Sequence, residues 1–382
     1  MLFDIPREMP KRKCEVCGQI KPVAEVLKVC RDCIINNFDE AKKYIDAAHY
    51  RVRMRYNLPP HPPKNPKGIL CNLCSNQCKI GKGEVGYCGL RYNENGKLIQ
   101  FATPNKALAY AYLDPHVTNC CLAWVCPAGT GLGYPKFAVR PGPEYGYYNL
   151  AVFFYGCNFS CLYCQNWEHK DLSSAHRISA EELAEVVLKN RKITCICYFG
   201  GSPEPHLPFT IRVNDIILRE KGNRIIRICY EWNGAGNKHL VRKVGEQVLQ
   251  SGGMIKFDLK APNSKLNYAL SGVPNDAVFD NFKMLYDEFW HERPEVPILG
   301  ATTLLVPGYI MPEDVEEIAK FIASIDPEIP YSLLIFHPDF MMRDLPVTPK
   351  KIVFESYERA RKYLKRVRIG NKFLLSVAPE NL

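Results

Sequence analysis

Beyond residue 150 the chain alternates short apolar runs with amphipathic stretches, and this rhythm is its strongest structural signal. Runs at 150–154, 193–199, 224–230, 254–259, 297–306 and 331–336 are rich in β-branched and aromatic residues, which predicts buried strands. Between them, 179–190, 238–250, 276–290 and 312–324 repeat apolar positions at helical spacing, and a last helix is predicted at about 349–364. The segment SAEELAEVVLKN opens as a capping box, with Ser179 as cap and Glu182 three residues later. Strands and helices alternating at this length imply an α/β fold with parallel pairing and right-handed crossovers. About six such units make an incomplete barrel rather than a closed one of eight.

Upstream the pattern is different. Residues 37–56 are amphipathic and predict a helix, and LPPHPPKNPKG at 58–68 breaks any helix and reads as a linker. Residues 93–96 predict a hairpin turn and 97–101 a strand. The chain therefore divides into a small module with a helix (1–57), the proline-rich linker (58–68), a cysteine-rich region (69–148) and the barrel (149–382).

Composition narrows the class. In 382 residues, 47% hydrophobic content suffices for a core, yet no apolar run is long enough to span a bilayer. The opening MLFDIPREMPKRK is charged and proline-interrupted without an h-region, so the expectation is a cytoplasmic protein with no membrane partner. The formal charge of +10 is concentrated partly in PKKIVFESYERARKYLKRVRIGNK. That stretch reads first as a solvated helix face and second as a contact for nucleic acid or an acidic partner. Seventeen cysteines all fall at or before Cys229, mostly in tight groups, which favours metal ligation over a disulfide framework.

Four groups stand out. Cys14, Cys17, Cys30 and Cys33 form two C-x2-C knuckles with the spacing of a short zinc ribbon, where a closed four-thiolate site is usually structural. Cys71, Cys74, Cys78 and Cys88 make a second compact, glycine-spaced set that suits zinc or iron–sulfur equally. Cys120, Cys121 and Cys126 have no fourth cysteine nearby and read as core or secondary thiols ahead of a third metal site. Cys157, Cys161 and Cys164 follow the first barrel strand as C-x3-C-x2-C, and three thiolates leave one metal position without a protein ligand.

Functional groups of such barrels sit at the carboxyl ends of strands. Gly200, Gly201 and Ser202 follow the second strand, Glu231 and Asn233 the third, Asp258 and Lys260 the fourth, and His337 a late one. Taken singly, the glycines also fit a tight turn, His337 a core histidine, and Asp258 with Lys260 a local ion pair. Their convergence on one rim favours a site.

The stretch GCNFSCLYCQNW at 156–167 resembles the cluster loop of the radical S-adenosylmethionine (SAM) enzymes, in the branch of pyruvate formate-lyase activating enzyme and the AmmeMemoRadiSam proteins. CNLCSNQC with GYCGLR, Asp258-Leu259-Lys260, LSGVPN, TTLLVPGY and IFHPDF with VTP are similar to AmmeMemoRadiSam segments, over about 71–375. The resemblance implies a partial (β/α)6 TIM-like barrel with a [4Fe–4S] cluster on Cys157, Cys161 and Cys164. It implies SAM cleaved reductively to a 5'-deoxyadenosyl radical that takes hydrogen from a substrate.

By the same resemblance Tyr163 packs near the adenine, and Gly200 with Gly201 meets the methionine amino group. Asp258 and Lys260 match the pair that holds ribose and carboxylate, and His337 the histidine near the ribose. Glu231 stands where activating enzymes have the aspartate of D-T-N-G, but this chain reads Glu-Trp-Asn-Gly; Ser202 replaces the usual acidic residue, with Glu204 two residues on. DPHVTNCCLAWVCPAGTG departs from the D-P-I-E-K-K-P-L pattern, so the substrate is left open. The leading expectation is an activating-enzyme-like oxidoreductase acting on a protein or peptide, with a flavodoxin or ferredoxin as reductant. The alternatives are the same chemistry on RNA or a small metabolite, and a metal-bearing interaction module without turnover.

Overall fold

The computed structural model describes residues 5–118 and 120–382. It begins with the antiparallel pair β1 (Lys11–Lys13) and β2 (Ile20–Pro22), followed by α1 (Arg31–Asn36) and α2 (Phe38–Met54). Asp39 and Glu40 open α2 and Arg51 and Arg53 close it, which complements the helix dipole. The buried face, including Ala41, Ile45, Ala48, His49 and Val52, recurs at helical spacing. Two small hairpins follow, β3 (Ile69–Cys71) with β4 (Cys78–Ile80), and β5 (Arg91–Glu94) with β6 (Lys97–Gln100). The second hairpin turns where the sequence predicts it.

Next come β7 (Lys106–Pro115), α3 (Pro127–Thr130), β8 (Tyr148–Phe154), β9 (Arg177–Ser179), α4 (Ala180–Lys189), β10 (Ile193–Gly200) and α5 (Leu207–Glu220). Then follow β11 (Arg227–Trp232), α6 (Lys238–Ser251), β12 (Ile255–Asp258), α7 (Ser264–Ser271), α8 (Asp276–Phe289) and β13 (Leu299–Leu305). The chain ends with α9 (Pro312–Ile325), β14 (Tyr331–Ile335), α10 (Lys350–Arg361) and β15 (Val367–Gly370).

One nine-stranded sheet runs β15-β14-β13-β12-β11-β10-β8-β7-β9. From β8 to β15 all pairings are parallel, with helices in the crossovers, so the expected partial α/β barrel is present. The sheet exceeds the six expected units. The four-residue β15 adds a further parallel strand beside β14, and β7 pairs antiparallel with β8 upstream of residue 149. β15 is short and lies at the sheet edge, while β7 lies between β8 and β9 and leaves Tyr110, Tyr112 and Leu113 exposed, so neither repeats the buried apolar run of the interior strands. Both hydrogen bonds of the capping box at Ser179 form, at 2.8 and 3.1 Å.

Several predicted boundaries move by up to three residues, among them the end of α10 at Arg361 and the start of β8 at Tyr148. The strand expected at 224–230 occupies Arg227–Trp232, because Arg224 turns its guanidinium onto the carbonyls of Leu188 (2.7 Å) and Asn190 (2.9 Å) at the end of α4. The helix α5 lacks a sequence expectation: its β-branched residues and Pro208 argue weakly for helix, yet the proline sits harmlessly in the first turn.

Side chains alternate along the strands. Phe154, Tyr198, Tyr230 and Phe257 belong to the outer, helix-facing core, while Phe153, Cys197, Glu231, Lys256 and Asp258 line the lumen. The N-terminal module is docked on the barrel. Arg31 donates to both carboxylate oxygens of Asp314 at 2.9 and 2.6 Å, Tyr309 accepts from the Ala24 amide at 2.9 Å, and His49 Nε2 lies 3.0 Å from the Ala269 carbonyl. No described helix is long and apolar enough to cross a membrane.

Candidate active site at the strand ends

The chain leaves β8 through Gly156, whose φ of +79° suits glycine; a Cβ there would lie 2.8 Å from the Cys88 carbonyl. The loop that follows is fastened from several sides. The amides of Ser160 and Leu162 donate to Ser271 and Leu270 at the end of α7 (2.7 and 3.0 Å), and the Leu162 carbonyl accepts from Met341 (3.0 Å). Asn158 is held by Asn76 and Asn233, at 2.7 and 2.8 Å. The three thiols of Cys157, Cys161 and Cys164 are thus presented by a braced loop.

All three line one cavity of about 420 Å³. Tyr163, Gly200, Gly201, Ser202, Glu231, Asn233, Asp258 and Lys260 line the same cavity. His337 is half-buried beyond β14 and is absent from that wall. The two glycines are needed for close approach: a Cβ on Gly200 would lie 2.4 Å from the Phe154 amide nitrogen, and one on Gly201 2.4 Å from the Gly156 carbonyl. Asp258 and Lys260 form an ion pair, with the Lys260 ammonium 6.0 Å from the Tyr163 ring centre. Burial works against the Lys260 charge, but Asp258 and the neighbouring Cys161 outweigh it and hold the ammonium protonated.

Ser202 donates to Glu204 and accepts from Asn233 at 2.7 Å, and Glu204 in turn accepts the Gly234 amide at 2.6 Å. The acidic residue displaced from the third motif position therefore braces the loop after β11 from below the rim. Burial raises the Glu204 carboxyl to about 7. Glu231 faces Lys256 at 3.3 Å.

Several groups on the cavity wall escaped the sequence reading. Lys170 and His169 lie on a turn after the cysteine loop and line the cavity. Burial drives the Cys157 and Cys164 thiols up, and the Lys170 ammonium partly offsets this. Lys256 lines it as well, and so do Cys120 and Cys121, which the sequence reads as core or secondary thiols ahead of a third metal site. A signal existed: β10, β11 and β12 read C-x-C, R-x-C-x-E and K-x-D, polar groups at every second position of otherwise apolar strands, which marks a polar lumen.

Ligand spacing separates the metal candidates. Among the described residues, three or more ligand atoms come within 4.8 Å of one another at two places, Cys14 with Cys17, Cys30 and Cys33, and Cys120 with Cys121 and Glu231. In the first, the Cys14 and Cys33 sulfurs stand 3.8 Å apart, and backbone amides of Cys17, Cys30 and Val16 outweigh burial to bring Cys14 down to about 7. Cys71 and Cys78 face each other across β3 and β4, and their hairpin packs on the strand-end loops, with Ser75 donating to Ala235 at 2.9 Å. The sulfurs of Cys157, Cys161 and Cys164 are spread more widely than a single ion allows, as suits a polynuclear cluster with each thiolate on a different iron. Three soft ligands, a glycine-walled rim and a Lys–Asp pair on one cavity fit a [4Fe–4S] cluster with SAM beside it.

Comparison with known proteins agrees with this arrangement. Residues 151–322 match the radical SAM superfamily. An uncharacterized protein of Methanocaldococcus jannaschii is 26% identical over 319 residues, covering 79% of this chain and 81% of that protein. The isethionate sulfite-lyase activating enzyme of Desulfovibrio desulfuricans is 31% identical over 155 residues, 39% of this chain, and the match spans only 45% of that enzyme. A solved domain of the pyruvate-formate lyase-activating enzyme from Bacteroides vulgatus aligns with 46% of this chain and 98% of its own, at 18% identity and a TM-score of 0.35. A [4Fe–4S] cluster and SAM are the cofactors the superfamily implies. Cys157 and Asp258 both lie within the stretch that matches the radical SAM superfamily.

Proposed function

We propose that this protein is a radical SAM enzyme of the activating-enzyme kind, abstracting hydrogen from a protein or peptide substrate. The observation that carries this reading is the convergence of Cys157, Cys161, Cys164, Gly200, Gly201, Asp258 and Lys260 on one 420 Å³ cavity. When bound, the cluster and SAM supply one-electron cleavage to a 5'-deoxyadenosyl radical. The three cysteines hold the cluster, and Lys170 offsets their negative charge from inside the wall. Lys260 meets the SAM carboxylate as a compact cation, and Asp258 accepts from paired ribose hydroxyls; in the free protein each satisfies the other. Gly200 and Gly201 let the methionine portion approach the backbone, and Tyr163 packs beside the adenine.

The relative named as an activating enzyme supports a protein substrate. Its likeness spans 155 residues, 39% of this chain. In the same reading Cys14, Cys17, Cys30 and Cys33 hold a structural zinc ion; Cys71, Cys74, Cys78 and Cys88, which stand wider than the Cys14 set, close around zinc or hold an iron–sulfur cluster; and a flavodoxin or ferredoxin supplies the electron. The test is anaerobic reconstitution with iron and sulfide, reduction, and addition of SAM. Formation of 5'-deoxyadenosine, followed by mass spectrometry, is expected; none at full cluster loading overturns the proposal.

A further inference from the structure

Each of the seventeen cysteines belongs to one of four groups, and one group remains without a role. It consists of Cys120, Cys121 and Cys126 on the loop before α3, together with Cys195 and Cys197 of β10 and Cys229 of β11. Cys120 and Cys121 line the large cavity beneath the cluster loop. Cys120, Cys126, Cys195, Cys197 and Cys229 surround a smaller one of about 30 Å³ below it.

The loop closes the amino-terminal end of the barrel. Leu122 and Val125 pack with Phe137, Met254 and Val296, and Leu122 fills the space beside Gly300, where a Cβ would lie 2.2 Å away. Ser332 of β14 donates to the Cys121 carbonyl at 2.7 Å and accepts from the Trp124 indole at 3.0 Å. The Leu122 amide points at the Cys120 sulfur from 3.4 Å. The two adjacent thiols are therefore fixed at the barrel floor and open on the cavity above.

There they meet charge. Ligand atoms of Cys120, Cys121 and Glu231 lie within 4.8 Å of one another. The Lys256 ammonium is 3.3 Å from Glu231 and 3.8 Å from the Cys197 sulfur. Asp114 of β7 lies on the same wall. Ordinary core cysteines sit among apolar side chains, whereas these share their pocket with a carboxylate and an ammonium that favours thiolates.

We propose that Cys120, Cys121 and Glu231 form a metal-binding site in the barrel lumen for a thiophilic divalent ion of the zinc class, its remaining position open to the same cavity as Cys157. Zinc holds thiolates at about 2.3 Å, so tetrahedral sulfurs stand about 3.8 Å apart, a separation compatible with ligand atoms that already lie within 4.8 Å of one another. Glu231 supplies an oxygen and Lys256 stays as its second partner, damping the charge of two thiolates and a carboxylate. Three protein ligands with an open position describe a site that binds a further molecule, in contrast to the closed set at Cys14. An anionic or thiol group of the substrate would take that position and be held beneath the cluster loop; this last step rests on the function proposed above, whereas the metal site does not.

The test uses full-length protein, prepared anaerobically, stripped with chelator and reloaded with zinc, cobalt(II) or cadmium. Metal analysis should show the Cys120→Ser/Cys121→Ser protein short of one zinc per chain relative to wild type, with loss of part of the cobalt–thiolate absorption. Glu231→Gln should weaken zinc at this site by at least about tenfold. Cadmium-113 NMR of the wild-type protein requires no variant and should show a resonance of mixed sulfur and oxygen ligation beside any all-sulfur resonance. Unchanged zinc content in a double variant that melts as wild type does, or all-sulfur resonances alone, would overturn the proposal. None of these readouts involves SAM, so failure to form 5'-deoxyadenosine leaves them standing.

Discussion

The clasp at Cys14, Cys17, Cys30 and Cys33 and the barrel lumen are both thiol-rich, yet they are built in opposite ways. The clasp draws four sulfurs from twenty consecutive residues and faces its own hairpin and α1. The lumen gathers groups from β8, β10, β11, β12 and the floor loop around a cavity of about 420 Å³. A closed, locally built set stabilises a module; an open, non-locally built set can turn over. Spacing in sequence distinguishes them less well than what the ligands face.

The two regions should differ most in their response to loss of Cys157. Cys157→Ala should reduce 5'-deoxyadenosine to background while zinc in the clasp persists, as read by product mass spectrometry and metal analysis on one preparation; parallel loss of both would merge the two regions. Cys14→Ser should do the reverse to the module, releasing clasp metal and costing several kcal/mol of its folding, seen as an early unfolding phase in calorimetry that chelator reproduces in the wild type.

The seam between the regions is sensitive to pH. Burial lowers His49 on α2 from 6.5 to about 4, and the neutral ring pairs with the Ala269 carbonyl. Because the folded pKa lies below the unfolded one, the unfolded chain takes up the proton first. Stability is therefore complete above about pH 6.5 and falls as pH drops toward 4, by up to about 3 kcal/mol from this group. The urea midpoint should fall over that window, and His49→Gln should flatten the slope; an unaltered slope would detach His49 from the effect. His116, buried beside Arg227 and also brought down to about 4, adds in the same direction from within the barrel. Smallest is Gly201→Ala, whose Cβ would crowd the Gly156 carbonyl and the His169 ring. It should cost about 1–3 kcal/mol in thermal unfolding and weaken SAM binding by titration; wild-type affinity would remove close backbone approach from the site.

Much of this architecture is legible in order along the chain. The C-x2-C knuckles, the C-x3-C-x2-C loop, the capping box at Ser179 and the strand–helix rhythm each depend on residues a few positions apart, and short-range geometry leaves a repeat or a spacing behind. The rim residues Gly200, Asp258 and Lys260 are legible too, because strand ends in a parallel barrel share one side. Ser202 with Glu204 shows the limit: the displaced carboxylate is visible in the sequence, but its hold on the Gly234 amide is not.

The class of fold, the position of the three-thiol loop and the local spacing of the Cys14 knuckles are thus readable from the chain alone. It takes the folded chain to show that β7 and β15 extend the sheet, that His337 stands off the cavity wall, and that Cys120, Cys121, Glu231 and Lys256 meet at the barrel floor. The physical reason is the range of the contacts. A helix or knuckle is closed by neighbours in the chain, whereas the floor is closed by Leu122 packing beside Gly300 and Ser332 bonding Cys121, partners whose separation in sequence carries no period.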